Sequence, residues 1–287
     1  MKNNSIADRI NAAGDALTES ERRLAQVTLE NISSLTTYSA TELAALAGVS
    51  KATTVRFFKR LGYGSFSDVR LQVRTHIDEG SPLYGLAKKQ NQNQFSDYFD
   101  AYVESEVKNL KQTYAQLDAT NIHSAIALIK NSQNIYVLGF RNGKNIAQYA
   151  WGMLTQLRDN IHLLPSTNSM NITEDIIDMK ADDCLIVMDY RRRISLLGPI
   201  VEHAKKQNIK IIMFTDLNLT DLASHADIVF RTATHSIGMF DSYIAAFSLI
   251  NGLCTQFAFA QGEQAKSRLE QAEKLHEKLN YLNTERK

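Results

Sequence analysis

The spacing of hydrophobic residues along the chain changes at about residue 135. Before that point apolar residues recur every three or four positions, as Ile6 and Ile10 do, and this spacing predicts amphipathic helices. Beyond it, apolar runs alternate with helical stretches; the runs are Ile135–Leu138, Ile161–Leu164, Leu185–Met188, Ile209–Phe214 and Ile228–Phe230. Such apolar strands are typical of a parallel sheet covered on both faces. The pattern predicts an N-terminal all-α domain followed by an α/β domain with a five-stranded parallel sheet.

Breaks in this pattern divide the chain into four segments. Gly80-Ser81-Pro82 ends the helical region, and the polar run of residues 88–94 that follows has the composition of a linker. The charged last segment carries leucines at helical spacing, which indicates a helix that docks on the protein or packs in a dimer. We expect a helical domain in residues 1–79, a linker and connecting helix in 80–118, an α/β domain in 119–262 and a charged C-terminal helix in 263–287.

Residues 39–61 predict two short helices joined by a tight turn. Ser39 and Glu42 have the spacing of a capping box, which marks the start of the first helix. Gly48 stands where the chain must turn through a left-handed conformation, and Ser50 can cap the second helix. This is the arrangement of a helix-turn-helix (HTH), whose second helix enters the major groove of DNA.

The second helix has one apolar face and one basic face. Thr54, Phe57 and Leu61 share an arc that should pack on a core, whereas the opposite arc offers small residues and then cations. Residues 50–76 hold six basic residues and one acidic residue, although the whole chain has a net charge of only +1. The alternative interpretation is a helical hairpin with a solvated basic face. The candidate DNA-binding residues are Lys51, Thr53, Arg56, Lys59 and Arg60, with Ser39, Thr41 and Ser50 near phosphates.

Composition and motifs argue against several other classes of protein. With 44% hydrophobic and 22% charged residues, the 287-residue chain has the composition of a soluble globular protein. The N-terminus has no apolar signal core, and the two cysteines indicate buried thiols in a reducing cytosol, so we expect a cytoplasmic protein. Polar residues interrupt the apolar segment near 237–260, which favours a buried core helix over a membrane span. Metal-binding and catalytic motifs are lacking, so we predict no metal and no cofactor.

Two predicted loops have the composition of a ligand site at the carboxyl ends of parallel strands. The loop after the first strand precedes a helix start that suits an anion; its candidates are Gly139, Arg141, Asn142 and Lys144. The loop after the third strand carries consecutive arginines, which recognise carboxylate or phosphate; its candidates are Asp189, Arg191, Arg192 and Arg193. Asp241 and Ser242 open the last long helix, where either can cap it or Asp241 can face the arginines. The alternative for the arginines is a solvated loop or an interface that pairs with acidic residues.

Several stretches resemble the RpiR family of bacterial transcriptional regulators, in which an HTH is joined to a sugar isomerase (SIS) domain. They are LTESERRLA from residue 17, ATELA from residue 40, GVSKATTVRF from residue 48 and LGY from residue 61. The strand order and the ADIV sequence around Asp227 add a looser match in the second half. The resemblance implies a SIS-like effector domain that binds a carbohydrate derivative such as a sugar phosphate.

The chain departs from the family pattern where phosphosugar-binding members hold the phosphate. Those members usually carry a serine in the first loop, where this chain has Gly143, and Ser-x-Ser-Gly-x-Thr after the third strand. The corresponding residues of the second motif are Asp189, Arg191, Arg192 and Ile194. Guanidinium groups thus replace a cradle of hydroxyls, and a sugar phosphate, a carboxylate and another small anion stay open as effectors.

The hypothesis that follows is a sequence-specific DNA-binding regulator, not an enzyme, whose SIS-like domain senses a small anionic metabolite. Its partner is a double-stranded DNA operator, and because HTH proteins commonly read paired half-sites we expect a homodimer or homotetramer. The competing hypothesis is a sugar-phosphate isomerase-like enzyme with a helical appendage. The missing hydroxyl cradle and the absence of a paired acid and base argue against that enzyme. A third hypothesis is a ligand-binding scaffold whose HTH packs on a protein.

Overall fold

The computed structural model describes residues 6–13, 17–30, 35, 38–79, 95–166, 171–218 and 220–280. Contacts divide the chain into two compact units: residues 1–102 with 217–224 and 236–241, and residues 103–216 with 225–235 and 242–287. The predicted linker, within residues 80–94, and the end of the C-terminal helix, residues 281–287, lie outside the described residues.

The first unit contains the predicted helical region. Its helices are α1 (Ile6–Ala13), α2 (Glu19–Glu30), α3 (Ala40–Leu46), α4 (Lys51–Arg60) and α5 (Phe66–Glu79). They enclose one apolar core, whose fully buried side chains include Leu24, Leu43 and Phe57. The rings of Phe57 and Phe58 meet edge to face with centroids 5.1 Å apart. This core holds α3 and α4 against α2.

From residue 95 onward helices alternate with strands. The elements are α6 (Phe95–Tyr114), α7 (Ala119–Asn131), β1 (Ile135–Gly139), α8 (Asn142–Leu157), β2 (Ile161–Leu164), α9 (Ile172–Ile176), β3 (Cys184–Asp189), α10 (Leu197–Lys206), β4 (Lys210–Asp216), a 3-10 helix (Asp221–His225), β5 (Ile228–Thr232), α11 (Ile244–Gln261) and α12 (Glu263–Leu279). Of α6, the residues from Val103 onward belong to the second unit. The predicted α/β class is confirmed, with five strands at the five apolar runs.

The five strands form one parallel sheet in the order β2-β1-β3-β4-β5. The chain leaves β1 for β2 on one side and then returns to place β3 on the other side of β1. The connection that leaves β1 therefore runs in the opposite direction to the connection that leaves β3. In parallel sheets, ligands bind at the carboxyl ends of two strands whose connections diverge in this way. Gly139, the last residue of β1, stands opposite Met188 of β3 in register. The two loops singled out from the sequence flank this switch point.

Helices cover both faces of the sheet and bury β3 along its whole length. By length and composition alone, α11 is apolar enough to cross a membrane, but 39% of that stretch is buried. The buried side of α11 packs against α7 and α8 as part of the core. The helix begins at Ile244, later than the predicted Asp241.

Candidate DNA-binding surface and ligand site

Caps formed by neighbouring residues define the turn between α3 and α4. Ser39 Oγ accepts a hydrogen bond from the Glu42 N–H at 3.2 Å, and Glu42 Oε2 accepts one from the Ser39 N–H at 2.7 Å. The predicted capping box is therefore present. Gly48 has a φ of +60°, and Ser50 Oγ accepts a hydrogen bond from the Thr53 N–H at 3.1 Å. Interactions within a few residues thus set the geometry of the HTH.

The two faces of α4 differ in burial as predicted. Thr54 and Phe57 are fully buried on the inner face. On the outer face Lys51, Arg56 and Lys59 are exposed. Within the described ranges, the side chains of these three cations make no hydrogen bond or ion pair. The outer face of α4 consequently presents unneutralised positive charge.

Arg60 differs from the other cations of α4 because an acidic residue of α2 holds it. Its Nη1 atom lies 2.8 Å from Glu21 Oε2. The Thr18 N–H donates to the same carboxylate oxygen at 2.9 Å. The pKa of Glu21 is lowered, first by this N–H and to a smaller extent by Arg60. The Arg60 guanidinium is thereby oriented from within the helical unit.

The three hydroxyl residues predicted near phosphates lie at the first turns of α3 and α4. Ser39 and Ser50 directly precede the two helices, Thr41 lies in the first turn of α3, and all three are exposed. The Ser39 and Ser50 hydroxyls already accept capping bonds, and Ser50 Oγ shares a hydrogen bond of 2.9 Å with Thr53 Oγ1. Contacts of these residues with DNA stay a prediction.

In the second unit, two glycines bring α8 close to the carboxyl ends of β1 and β3. A Cβ atom on Gly143 would lie 2.8 Å from the carbonyl oxygen of Met188. A Cβ atom on Gly139 would collide with the Gly143 carbonyl. The backbone therefore has no room for the serine that phosphosugar-binding members usually carry at the Gly143 position. Nearby, Arg141 and Asn142 are exposed and Lys144 is half-buried.

Arg193 is paired inside the unit with two aspartates. Its Nε donates to Asp189 Oδ2 at 2.9 Å, and its Nη2 donates to Asp216 Oδ2 at 3.2 Å. Nη2 also donates to Thr215 Oγ1 at 3.1 Å. Burial opposes the charge of Arg193, but Asp216 and Asp189 outweigh it and raise the pKa of the guanidinium. Arg193 and the buried Asp189 join the ends of β3 and β4, because each satisfies the charge of the other. Their part in binding an effector stays a prediction.

The other two arginines of the loop, which spans residues 190–196 and is called the arginine loop below, differ in exposure. Arg192 is exposed and Arg191 is half-buried. The backbone of Arg191 is held on both sides: its N–H donates to Asp216 Oδ2 at 3.3 Å, and its carbonyl accepts from Tyr243 Oη at 3.0 Å. The backbone of this loop is therefore held in place at the carboxyl end of β3, beside the switch point.

Ser242 is buried and directs its hydroxyl into the unit. Its Oγ donates to Glu106 Oε2 at 2.7 Å and accepts a hydrogen bond from the Ile244 N–H at 3.3 Å. Its hydroxyl is engaged in these two contacts, and an effector-binding role for Ser242 stays a prediction. The N-cap position of α11 is Tyr243, without a side-chain cap. Asp241 is half-buried and groups with the first unit.

Several residues of the carboxyl edge were missed from the sequence. Thr215 and Asp216 end β4, and their place at the end of a strand is a signal that could have identified them. Tyr190 follows β3 and shares a buried hydrogen bond of 3.1 Å with Thr232 Oγ1. Burial raises the pKa of Tyr190. Tyr190 lies within the predicted loop after β3, but no local pattern marks its bond to Thr232 or the place of Tyr243, because both depend on the packing of distant segments.

Cys184 and Cys254 are buried free thiols, and burial raises the pKa of each to about 12. Across the described residues, no three His, Cys, Asp or Glu side chains are placed to hold a metal ion.

Comparison with known proteins adds two family matches. Residues 4–80 match the model described as the helix-turn-helix domain of the rpiR family. Residues 128–255 match the SIS domain model. Together these matches cover the DNA-binding candidate surface and the whole parallel sheet.

Relatives that match most of the chain are named as HTH-type transcriptional regulators. An uncharacterized HTH-type transcriptional regulator of Thermotoga maritima is 23% identical over 230 residues, which cover 80% of this chain and 81% of the relative. The HTH-type transcriptional regulator HexR of Escherichia coli is 21% identical over 269 residues, 92% of each chain. Among solved structures, Vibrio vulnificus NanR complexed with ManNAc-6P has a TM-score of 0.56 and 17% identity, covering 95% of this chain and 98% of that chain.

Proposed function

The chain belongs to the RpiR family of transcriptional regulators, which join an HTH to a SIS domain, and we propose that it binds operator DNA under the control of a small anionic metabolite. The observation that carries the DNA-binding proposal is the outer face of α4. Arg56 and Lys59 are exposed there without a counter-ion in the described structure, while the opposite face is locked into the core. A helix so fixed can enter the major groove as a rigid body.

The proposed contacts follow the direction of α4. Small residues at its start allow close approach to the base edges, and the cations further along suit guanine and phosphate. The proposed set is Lys51, Thr53, Arg56, Lys59 and Arg60, with phosphate contacts near Ser39, Thr41 and Ser50. Arg60 would act together with its partner Glu21, which reduces its contribution relative to Arg56.

For the effector, we propose an anionic carbohydrate derivative at the switch point. NanR, which has this fold, holds a sugar phosphate. Here Arg191 and Arg192 would grip the anion from the β3 side, because Arg193 is already paired. Arg141, Asn142 and Lys144, with the Gly139 backbone, would face it from the β1 side. Since guanidinium groups bind carboxylates as well as phosphates, sugar acids belong to the same candidate class.

The assembly and location of the protein are part of the proposal. A homodimer or homotetramer would present paired HTH domains to two operator half-sites. We propose domain boundaries at about residues 79, 118 and 262, and a cytoplasmic location. Size-exclusion chromatography with light scattering measures the assembly, and a monomeric protein at micromolar concentration would contradict it.

The DNA-binding proposal is tested with the Arg56→Ala variant. Sequences selected by the wild-type protein from a random duplex library supply the operator, and fluorescence anisotropy gives its affinity. We expect Arg56→Ala to weaken binding by about 1–3 kcal/mol and to flatten the salt dependence. Lys274→Ala, which removes an exposed cation from α12, is the matched control and should leave binding unchanged. Equal binding by wild type and Arg56→Ala would reject α4 as the recognition helix.

The effector proposal is tested by thermal shift with a panel of sugar phosphates and sugar acids. We expect a stabilising compound to lose its effect in Arg192→Ala. The control Lys206→Ala removes a cation at the end of α10, which leads to the opposite edge of the sheet, and should keep the effect. A shift that survives in Arg192→Ala places the ligand elsewhere. Turnover of a sugar phosphate by the purified protein would support the isomerase alternative.

A further inference from the structure

The loops that flank the switch point meet at Tyr243, directly before α11. Its Oη donates to the Arg191 carbonyl at 3.0 Å and accepts from Asn142 Nδ2 at 3.4 Å. Its ring packs edge to face on Tyr190, with centroids 5.4 Å apart. One side chain thus contacts the loop after β1 and the loop after β3. A displacement of the arginine loop necessarily changes the surroundings of Tyr243.

The adjacent residue, Ser242, reaches the helix α6. Ser242 Oγ donates to Glu106 Oε2 at 2.7 Å, and both residues are buried. The other carboxylate oxygen, Glu106 Oε1, is buried without a hydrogen-bond partner among the described residues. Asn109 Nδ2 also donates to Glu106 Oε2, but at 3.4 Å, so the shorter bond from Ser242 contributes more to stabilising the carboxylate. A movement that lengthens the bond between Ser242 and Glu106 leaves the buried Glu106 carboxyl group poorly solvated. The two residues therefore resist separation.

Two further bonds tie α6 to the segment that follows β5. Asn109 Nδ2 donates to the His235 carbonyl at 2.6 Å, and the Ala233 N–H donates to Thr113 Oγ1 at 2.9 Å. Asn109 and Thr113 are buried. Leucine side chains could also dock α6, but apolar contacts would let the helix slide along its neighbour. Buried hydrogen bonds are directional and resist such sliding. The polar face of α6 is therefore suited to follow this segment when the segment moves.

We propose that Tyr243 and Ser242 form a relay that couples the arginine loop to α6, the helix that leads in sequence toward the HTH. Tyr243 senses the Arg191 backbone, and Ser242 passes its displacement to Glu106. Both act as positioning residues. The regulatory meaning of the relay rests on the proposed function, but the mechanical coupling does not. An effector that moves the arginine loop would thereby shift the equilibrium position of α6.

Hydrogen exchange of the full-length protein tests the coupling without DNA or effector. The variants are Tyr243→Phe, which removes only the hydroxyl, and Glu106→Gln, which removes only the charge. Exchange is measured in residues 103–114 and 190–196. We expect each variant to accelerate exchange at least about threefold in both segments. Tyr149→Phe is the matched control, because its hydroxyl bonds to Asn251 outside the relay at 2.9 Å, and should change neither segment.

A relay differs from local packing because each substitution also accelerates exchange in the segment that lies away from it. Acceleration confined to residues 190–196 in Tyr243→Phe and to residues 103–114 in Glu106→Gln would overturn the proposal. If Tyr243→Phe does not fold, Ser242→Ala is measured in the same two segments with the same two outcomes. Because neither operator nor effector enters the measurement, a protein that fails to bind DNA can still confirm or overturn the relay.

Discussion

Replacing Arg193 with leucine should strongly destabilise the α/β unit, because two buried carboxylates lose the guanidinium that both of them bind. The side chains of Asp189 and Asp216 are 0% and 1% exposed, and both accept hydrogen bonds from Arg193. Removing one partner of a buried ion pair costs about 3–5 kcal/mol. The Arg193 side chain is 24% exposed, so solvent screens part of the attraction, and we expect the lower end, about 3 kcal/mol.

The loss can be measured by urea denaturation followed through tryptophan fluorescence. Trp151 is the single tryptophan of the chain, and in α8 it donates Nε1–H to the Ile161 carbonyl of β2 at 3.2 Å. Its fluorescence consequently reports on the α/β unit. With an m-value of about 1–3 kcal/mol/M, the expected midpoint falls by about 1–3 M. The exposed neighbour provides the control: Arg192→Leu removes the same charge and should cost less than about 0.5 kcal/mol.

A double-mutant cycle separates the ion pair from other effects of the substitution. Combining Arg193→Leu with Asp189→Asn should cost less than the two changes separately, with a coupling of about 0.5–3 kcal/mol. Additive costs, together with a loss of less than about 1 kcal/mol for Arg193→Leu, would refute the pairing. Arg193 would then return to the residues available for an effector.

Three further predictions concern the two cores and a buried thiol. Phe57→Ala should lower the free energy of unfolding of the helical domain by about 3–5 kcal/mol, measured by far-ultraviolet circular dichroism. Leu71→Ala should have little effect because Leu71 is 64% exposed, and similar losses in the two variants would contradict the assigned core. Gly143→Ala should lower the free energy of unfolding by about 1–3 kcal/mol in the urea assay, because its Cβ would lie 2.8 Å from the Met188 carbonyl. Gly152, on the same helix, has open space around it, so Gly152→Ala should raise the free energy of unfolding by up to about 1 kcal/mol. Burial raises the pKa of Cys184 from about 9 to about 12, so its contribution to stability is complete below pH 9 and is lost as the pH rises toward 12. A pH series of urea midpoints measures this, and an unchanged pH dependence in Cys184→Ala would contradict it.

Strand positions could be predicted closely because parallel strands buried on both faces need continuous apolar sequence. β2 coincides with the predicted run Ile161–Leu164. β4 and β5 continue beyond their apolar runs to Asp216 and Thr232, because the backbone still pairs where polar side chains begin. Those polar ends form the carboxyl edge of the sheet, and they were missed because hydrophobicity marks only the interior of a strand.

The helix-turn-helix was predictable for a different reason. Its capping box, its glycine turn and its second cap each depend on residues at most a few positions apart, as at Ser39 and Glu42. The burial of Phe57 and the exposure of Arg56 follow from helical periodicity alone. By contrast, the partner of Arg60 lies 39 residues away in sequence, and no periodic pattern identifies it.

The sequence by itself determined the class of the two domains, the course of the HTH and the presence of a basic helix face, because these depend on local hydrogen bonds and on side-chain periodicity. How the three consecutive arginines differ in burial and pairing depends on tertiary packing. Arg193 turns inward because Asp216, 23 residues further along the chain, ends the neighbouring strand. Arg191 is held from outside by Tyr243, 52 residues away. The contacts that turn Arg193 inward and hold the Arg191 backbone form only when distant strands and loops pack together.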